Sequence, residues 1–387
     1  MSYLRVKEEG ADQSVNLREF LKHHGHTRHE SHRYHNNSQQ QVYTNIRVLK
    51  KLGAGSTGIA YKAHYRVDGE IMQCVVKLPI KLLNVKQIKL DNEGNIEVRK
   101  KEERGYTFQD ASADLDYEWG NFLLLHFGKK MKKYGIGTKP EWSVSNREFQ
   151  AVIDEANELK KVNGYNNIHR ILVSDPAVPM LISEYFDGTV EEFSMILKKS
   201  GYEAQTEQIF ECIIPQTLAG LHFMHSEGVQ LAHMDIKPAN MLYKFVAGQA
   251  LVVLCDFGLC QPSEDVQHTY MGTPYFMAPE IDKKGTVYTP KYTDVYSWAV
   301  SMLCTFYPRA IKDAGDSLVD YLLSQIPEDI YSEFNYEMQK NVFKKILAII
   351  EAESPRKRYK KFTNIYKMYY EKKNIYYNKS KNIFHTV

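Results

Sequence analysis

Cysteine pairs are missing from this 387-residue chain. Its five cysteines are scattered, with no close pair at the spacing of metal ligands: Cys74, Cys212, Cys255, Cys260 and Cys304. Small secreted domains and zinc modules both depend on such pairs. The pattern therefore argues against a disulfide framework and predicts a reducing compartment, the cytoplasm or the nucleus.

Long apolar runs and an excess of one charge are also missing. Residues 1–10 contain no apolar stretch of the secretory type, and no segment approaches the length of a membrane span. Secretion without such a signal stays open. Lys and Arg number 50 against 47 Asp and Glu, a net charge of +3, so the charge balance requires no nucleic-acid partner. With 43% apolar residues, the composition is that of a globular protein with a full core.

Four segments are predicted along the chain. Residues 1–42 are a flexible polar tail with six histidines between His23 and His35, whose irregular spacing fixes no metal geometry. Residues 43–183 have strand patterns, interrupted by an insert at about 81–145 that contains one hairpin pattern, Val85–Val98, and one helical pattern, Tyr117–Tyr134. Residues 184–362 are mostly helical, with an amphipathic helix over 209–225 and a buried apolar helix over 295–306. Residues 363–387 form a basic, tyrosine-rich helix or tail. Strands followed by helices indicate an α+β chain with two lobes.

A glycine-rich turn, Gly53-Ala54-Gly55-Ser56-Thr57-Gly58, lies early in the strand-rich segment. Dinucleotide-binding domains share this spacing, but there a helix opens at the glycines. Here Ile59–Ala63 continues as a strand, as expected of a glycine hairpin that covers phosphates.

Lys77 follows late in an apolar strand. An unpaired lysine on a buried face is costly, so an anionic partner is expected. Glu155, on the apolar stripe of the helix predicted over 148–162, is the first candidate, and Glu158 is the second.

Two short segments carry the strongest chemistry: His233–Asn240 and Asp256-Phe257-Gly258. Pro238 excludes a helix, so the first segment is a loop. Asp235 can accept a hydroxyl proton, and Lys237 can neutralise a phosphoryl group. Asn240 and Asp256 offer oxygen ligands that suit Mg²⁺.

This ordered set of motifs resembles the eukaryotic-type protein kinase family, over about residues 45–362 apart from the insert. Later landmarks agree: Met277-Ala278-Pro279-Glu280, with Arg358 as the expected partner of Glu280, and Asp294 in a buried helix. The resemblance implies a bilobal fold, with a small antiparallel sheet plus one helix in the first lobe and a larger helical second lobe.

The resemblance also implies a role for each site residue. Gly53, Gly55 and Gly58 would cover the phosphates of ATP in the cleft, while Lys77 would pair with Glu155 and the α/β-phosphates. Asp235 would be the catalytic base, assisted by Lys237 and Thr273, and Asn240 with Asp256 would hold Mg²⁺. The adenine site would comprise Leu52, Ala60, Val75, Leu242 and the hinge residues Ser183, Glu184 and Phe186.

A protein substrate is expected, and Lys237 with Gly272-Thr273-Pro274-Tyr275 resembles serine/threonine kinases. The His-Met-Asp-Ile-Lys-Pro segment also resembles Wee-type kinases, so tyrosine or dual specificity stays open. A pseudokinase scaffold is the other alternative, disfavoured because Lys77, Asp235, Asn240 and Asp256 are all present. The insert is a candidate docking site for a regulatory partner. A family-specific insert with no regulatory role is equally compatible with the sequence.

Three positions depart from the kinase pattern. Ala60 and Val75 exchange the usual valine and alanine beside the adenine, which conserves volume. Met234 replaces the arginine that pairs with a phosphorylated activation loop, which predicts activity independent of phosphate at Ser263, Thr269 or Tyr270. Ser183, at the gatekeeper position, predicts an open pocket behind the adenine.

Overall fold

The computed structural model describes residues 3–8, 11–16, 47–54, 58–67, 70–78, 85–90, 96–100, 146–165, 167–175, 178–281, 287–315 and 317–371. They belong to two compact units. The sheet unit holds the described residues from 47 to Phe186 together with Asp256–Gly258. The helical unit holds Asp187–Cys255, the described residues from Leu259 to Glu371 and an N-terminal hairpin. The predicted α+β fold with two lobes is confirmed.

The strands of the described residues, in chain order, are β1 (Tyr3–Glu8), β2 (Ala11–Asn16), β3 (Arg47–Ala54), β4 (Ile59–Val67), β5 (Glu70–Leu78), β6 (Val85–Leu90), β7 (Ile96–Lys100), β8 (Ile171–Asp175), β9 (Val178–Glu184), β10 (Gly188–Thr189), β11 (Leu231–Ala232), β12 (Met241–Val246), β13 (Gln249–Leu254) and β14 (Gln261–Pro262). The helices are α1 (Asn146–Val162), α2 (Val190–Lys199), α3 (Tyr202–Gln208), α4 (Ile214–Met224), α5 (Pro290–Phe306), α6 (Ala310–Asp313), α7 (Leu318–Ser324), α8 (Glu337–Ile350) and α9 (Pro355–Tyr370).

The sheet unit is built on five antiparallel strands in the order β3-β4-β5-β9-β8. Side chains alternate along β5: Cys74 and Val76 are fully buried, while Val75 and Lys77 occupy the other face. A strand with one buried face shows this period of two. The same register places Val75 opposite Ser183 of β9, and Lys77 opposite Ala60 of β4.

Helix α1 packs on this sheet through one apolar stripe. Val152, Ala156, Leu159 and Val162 are all buried, at spacings of three and four residues. Glu155 lies on the same side and is 3% exposed. The helix therefore carries a carboxylate on its buried side.

Two hairpins lie outside the five-stranded sheet, one in the N-terminal segment and one in the insert. Strands β1 and β2 pair inside the segment 1–42, which was predicted to be a tail. Strands β6 and β7 pair inside the insert, as the alternating pattern at Val85–Val98 predicted. The histidines between His23 and His35, and the helix predicted at Tyr117–Tyr134, lie outside the described residues.

Helix α5 is the centre of the helical unit. It is buried nearly all round, as its apolar sequence predicted, and Trp298 Nε1 donates to Thr217 Oγ1 of α4 at 3.0 Å. Helices α8 and α9 pack on it. The boundary predicted between 362 and 363 falls within α9, which continues to Tyr370.

A π turn, Ile209–Ile213, joins α3 to α4, and there the N–H of Ile214 donates to the carbonyl of Ile209, five residues earlier. Pro215 follows directly. A proline inside a helix lacks an N–H, and its ring crowds the carbonyl four residues earlier. The wider π turn gives that ring room, so the chain stays helical from Tyr202 to Met224 where the sequence predicted a helix over 209–225.

Candidate active site

The first group of predicted site residues lies in the helical unit, on the loop between β11 and β12. Pro238 opens a 3₁₀ turn, Pro238–Asn240, and the residue before it, Lys237, is fully extended. This is the conformation that proline favours in its predecessor. The loop thus presents Asp235, Lys237 and Asn240 within six residues.

These side chains converge on the carboxylate of Asp235. Its Oδ1 accepts a hydrogen bond from Thr273 Oγ1 at 2.6 Å. Its Oδ2 accepts from Lys237 Nζ and from Asn240 Nδ2, each at 2.8 Å. Lys237 Nζ also donates to Thr273 Oγ1 at 2.7 Å. The side chain of Asp235 is therefore oriented by three donors from two different loops.

Asn240 uses its amide nitrogen for these contacts, since Nδ2 also donates to the backbone oxygen of Asp235 at 2.9 Å. Its Oδ1 receives no hydrogen bond from the part of the chain that the structure describes. An amide oxygen in this position fits the oxygen-rich coordination that Mg²⁺ prefers.

His233 anchors the loop through its imidazole ring. The side chain is fully buried, and Nε2 lies 2.9 Å from the carbonyl oxygen of Cys255. The backbone N–H of Asp235 donates to Nδ1 at 3.3 Å, and the N–H of Cys255 donates to the carbonyl of Asn240 at 3.0 Å. These bonds hold the loop against the end of β13.

Asp294 of α5 supports the same loop from the other side. Its Oδ2 accepts from the N–H of His233 at 2.7 Å, and its Oδ1 accepts from the N–H of Met234 at 2.8 Å. His225 Nε2 lies 2.9 Å from Oδ2. Met234 has a φ of +67°, a left-handed conformation that is unusual for a residue with a side chain. The buried carboxylate stabilises this conformation because it pairs the two N–H groups that point at it.

The side chain of Met234 lies in an apolar cluster, which we call the methionine cluster: Ala232, Met234, Ile281 and Tyr288, with Leu259, Met271 and Met277 packed against it. Met234 is 5% exposed, and its sulfur accepts a contact from Thr293 Oγ1 at 3.6 Å. An arginine in this position would be surrounded by apolar groups. In this chain, apolar packing of Met234 takes the place of the ion pair that an arginine would make with a phosphate.

The end of this segment is anchored by an ion pair. Arg358 Nη1 donates to both carboxylate oxygens of Glu280, at 2.6 and 2.7 Å, and the guanidinium lies over the ring of Tyr296. Both charged side chains are largely buried. The pair connects the loop that carries Thr273 to helix α9.

The second group of predicted residues lies in the sheet unit around Lys77. Its Nζ is 2.8 and 2.7 Å from the two oxygens of Glu155, and 3.0 Å from Oδ1 of Asp256. Burial by itself would lower the pKa of Lys77, but the two carboxylates outweigh it and hold the pKa above its ordinary value. Lys77 is therefore a fixed positive charge between two anions.

Of the two candidate carboxylates, Glu155 is the one that contacts Lys77. Glu158, one turn further along α1, instead contacts Lys161 on the surface at 2.6 Å. The sequence left this choice open because both positions lie near the edge of the apolar stripe. The inward direction of residue 155 becomes visible only once α1 is packed on the sheet.

The predicted nucleotide-binding positions are divided between the units. Leu52 is exposed, Gly58 is buried and Ala60 is half-buried, all beside the glycine turn of the sheet unit. A Cβ added at Gly53 would meet no atom within 4 Å, so its neighbourhood is open. Gly55 lies outside the described residues. Leu242 belongs to the helical unit, on β12 opposite Val253 and Thr189.

The predicted hinge follows β9. Ser183 is buried beside Val75. The N–H of Glu184 donates to Arg170 O at 3.0 Å, and the carbonyl of Glu184 lies 2.8 Å from His169 Nε2. Phe186 packs edge-on against the ring of His169, so His169 braces both residues.

Two positioning residues were not found from the sequence. His169 contacts Glu184 and His225 contacts Asp294, but no spacing pattern distinguishes these histidines from ordinary loop and helix residues. Their contacts join segments that are far apart in the chain.

Comparison with known proteins identifies the family to which this chain is similar. The protein kinase domain family matches residues 128–370. Relatives include the probable serine/threonine-protein kinase pXi of Dictyostelium discoideum, 32% identical over 54% of this chain and 32% of its own length. Serine/threonine-protein kinase chk-2 of Caenorhabditis elegans is 32% identical over 36% of this chain and 29% of its own length. Calcium/calmodulin-dependent protein kinase type 1 of Caenorhabditis briggsae is 32% identical over 41% and 44%, respectively.

The matched range begins after the glycine turn and Lys77, which lie outside it. The chain spans less than half the length of each of these three relatives. Within the described residues, no helix combines the length and the apolar character needed to cross a bilayer.

Proposed function

Because the chain belongs to the protein kinase family, we propose that it transfers the γ-phosphoryl group of ATP to serine and threonine hydroxyls of protein substrates. The observation that carries this proposal is the carboxylate of Asp235, oriented by Lys237, Asn240 and Thr273. Phosphoryl transfer needs little covalent chemistry from the protein, and positioning with charge stabilisation supplies most of the rate.

Asp235 would orient the acceptor hydroxyl and take its proton. Oδ2 already accepts two hydrogen bonds, whereas Oδ1 accepts one from Thr273, so Oδ1 has a lone pair for the incoming hydroxyl. As the acceptor oxygen bonds to the γ-phosphorus, the bond from that phosphorus to the β–γ bridging oxygen breaks and ADP leaves. Lys237, held between Asp235 and Thr273, offsets the negative charge of the transferring group.

In the sheet unit, Lys77 would contact the α- and β-phosphates of ATP while Glu155 keeps its side chain in place. The raised pKa of Lys77 supports this role because the ammonium stays charged at every physiological pH. Asn240 and Asp256 would hold Mg²⁺, which supplies positive charge beside the phosphates when it is bound with ATP. Leu52, Gly53, Gly55, Gly58, Ala60, Val75, Ser183, Glu184, Phe186 and Leu242 would complete the nucleotide site.

Asp235→Asn is the decisive variant. Asparagine keeps the size of the side chain but cannot take the proton, so we expect turnover of a serine peptide to fall by about 10²–10⁴-fold. ATP affinity, measured by titration calorimetry, should stay unchanged. The matched control is Asp313→Asn, the same substitution at an exposed position of α6.

Two outcomes would contradict the proposal. A parent protein that binds ATP but gives no turnover with any serine, threonine or tyrosine peptide would be a pseudokinase scaffold. Faster phosphorylation of tyrosine than of serine peptides in a mixed library would instead favour tyrosine or dual specificity. The contact of Thr273 with both Asp235 and Lys237 supports the serine/threonine assignment, since it completes the acceptor side of the site.

Activity is also proposed to be independent of phosphate on the segment before Thr273. Several contacts that need no phosphate hold this segment: the methionine cluster, a bridge between Gln267 and Tyr288, and the ion pair of Lys291 with Glu264. Ser263 is fully buried, so a kinase cannot reach its hydroxyl in this conformation, whereas Thr269 and Tyr270 are exposed. Treatment with a phosphatase should change the activity by less than about twofold, because Met234 cannot bind phosphate. A large loss would disprove this part of the proposal.

The setting is proposed to be the cytoplasm or the nucleus. All five cysteines lie in the described residues and none forms a disulfide, which agrees with a reducing compartment. The insert, whose described strands are β6 and β7, is proposed to dock a regulatory partner.

A further inference from the structure

A basic groove lies between helices α8 and α9 of the helical unit. It encloses about 530 Å³. Five lysines, two asparagines and one alanine line it: Asn341, Lys344, Lys345, Ala348, Lys357, Lys360, Lys361 and Asn364. No acidic side chain lines the groove.

The lining residues form one stripe on each helix. On α8 they stand at 341, 344, 345 and 348, and on α9 at 357, 360, 361 and 364. Both series have the spacing i, i+3, i+4, i+7, which puts their members on one helical face. The two basic faces therefore meet along the line where α8 packs on α9.

Most of these lysines form no ion pair with another residue of the described chain. Lys357 pairs with Glu353 on the surface, and Lys344 lies over the ring of Tyr331 at 4.9 Å. Within the described chain, Lys345, Lys360 and Lys361 make no ion pair, and α9 contains no acidic residue. Like charges at spacings of three and four destabilise a helix. An anionic ligand in the groove would remove that repulsion.

We propose that this groove binds an acidic segment of a partner protein in an extended conformation. Each stripe spans eight residues of helix, which are about 10 Å from first to last and match about three to four residues of extended peptide. The lysines supply flexible charges for carboxylates, and the amide of Asn364 can bond the peptide backbone. Asn341 Nδ2 already donates to Glu337 Oε1 at 3.2 Å, which leaves its second N–H and its carbonyl oxygen for a peptide. The small side chain of Ala348 leaves room for the peptide.

The lining favours a peptide over other polyanions. Single-stranded nucleic acids bind through aromatic or arginine side chains on which bases stack, and the groove has neither. A membrane surface is flat and is reached by exposed apolar side chains, whereas this site is concave and none of its residues is a large apolar side chain.

Fluorescence anisotropy with a labelled hexaglutamate peptide and the full chain tests the proposal. Replacing two half-buried lysines, Lys345→Gln with Lys361→Gln, should weaken binding by about tenfold or more, and added salt should weaken binding to the parent. The matched control is Lys198→Gln with Lys199→Gln, which removes the same charge from exposed positions of α2 and should change binding by less than about twofold.

Three results would overturn the proposal. The first is equal weakening by the groove pair and the control pair, which would mean attraction to net charge alone. The second is unchanged binding in the groove pair. The third is tighter, Lys345- and Lys361-dependent binding of hexathymidylate or of phosphatidylserine vesicles, which would assign the groove to nucleic acid or to a membrane. The assay needs no phosphoryl transfer, so its result is independent of the proposed catalytic function.

Discussion

The backbone carbonyl of Met234 occupies the space that a side chain on Gly272 would need. A Cβ built on Gly272 would lie 2.8 Å from that oxygen, and the φ of Gly272 is +107°. Thr273, which donates to Asp235, is the next residue. The close approach of two backbones thus sets the position of the hydroxyl that contacts the candidate base.

We expect Gly272→Ala to reduce turnover strongly while the protein still folds. The left-handed φ costs an alanine about 1–3 kcal/mol, and the clash with the Met234 carbonyl must in addition displace one of the two loops. Peptide turnover and urea unfolding measure the two effects.

Gly201→Ala is the matched control for this change, because Gly201 has a φ of +101° but open space around its Cβ position. It should lose a similar amount of stability from strain and keep its turnover. Equal turnover in the two variants would show that the close approach of Gly272 to Met234 does not position Thr273.

Asp294→Ala should destabilise the helical unit. The substitution leaves the N–H groups of His233 and Met234 buried without an acceptor, at a cost of about 1–3 kcal/mol for each. Urea unfolding gives the loss directly, with Asp313→Ala as an exposed control on α6. If the two alanine variants unfold at the same urea concentration, Asp294 does not stabilise the loop.

Met234→Leu should retain most of the stability of the protein, whereas Met234→Arg should lower it strongly. Leucine conserves volume in the methionine cluster and should cost less than about 1.5 kcal/mol, with turnover retained. Arginine would place a charge among Ala232, Ile281 and Tyr288 and should cost about 3–5 kcal/mol. Thermal unfolding and turnover together test this. An arginine variant as stable as the parent, with activity that now depends on phosphate, would refute the packing argument.

Ser183→Met should weaken bulky ATP-competitive inhibitors that enter the space behind the adenine. Ser183 is 3% exposed and lies beside Val75, so a longer side chain would occupy the pocket that the sequence predicts at this position. Overpacking typically costs about 1–3 kcal/mol, which corresponds to about 5- to 150-fold in affinity. Ser183→Ala is the control and should leave affinity unchanged; an unaltered affinity in the methionine variant would mean that the inhibitors bind elsewhere.

Cys74 and Cys304 should resist alkylation in the native protein. Burial raises the pKa of each thiol to about 12. At pH 8 only about one molecule in ten thousand would then carry the reactive thiolate. Iodoacetamide labelling followed by mass spectrometry should modify the half-buried Cys212 and Cys260 first. Unfolding in urea is the positive control, and rapid native labelling of Cys74 would contradict the burial of β5.

Local patterns in the sequence predicted much of this molecule. Strand β5, the stripe on α1 and the buried, mostly apolar α5 all appear where the residue patterns indicated. The loop that carries Asp235 and Lys237 was also predicted, because Pro238 excludes a helix and the charged residues around it are only a few positions apart in the sequence. The π turn was not predicted, since its cause is a single proline whose crowding depends on the helix continuing on both sides.

The sequence by itself determined which chemical groups are present: a lysine among apolar strand residues, an aspartate, a lysine and an asparagine on one loop, and a methionine in place of an arginine. Only the tertiary structure decided which groups meet. Glu155 rather than Glu158 contacts Lys77. Thr273, which is 38 positions from Asp235 in the chain, donates a hydrogen bond to it, and apolar side chains surround Met234. The tertiary structure also joined two lysine stripes into one groove. The physical reason is that a residue's identity and spacing fix its local conformation, whereas contacts between distant segments depend on how whole helices and strands pack.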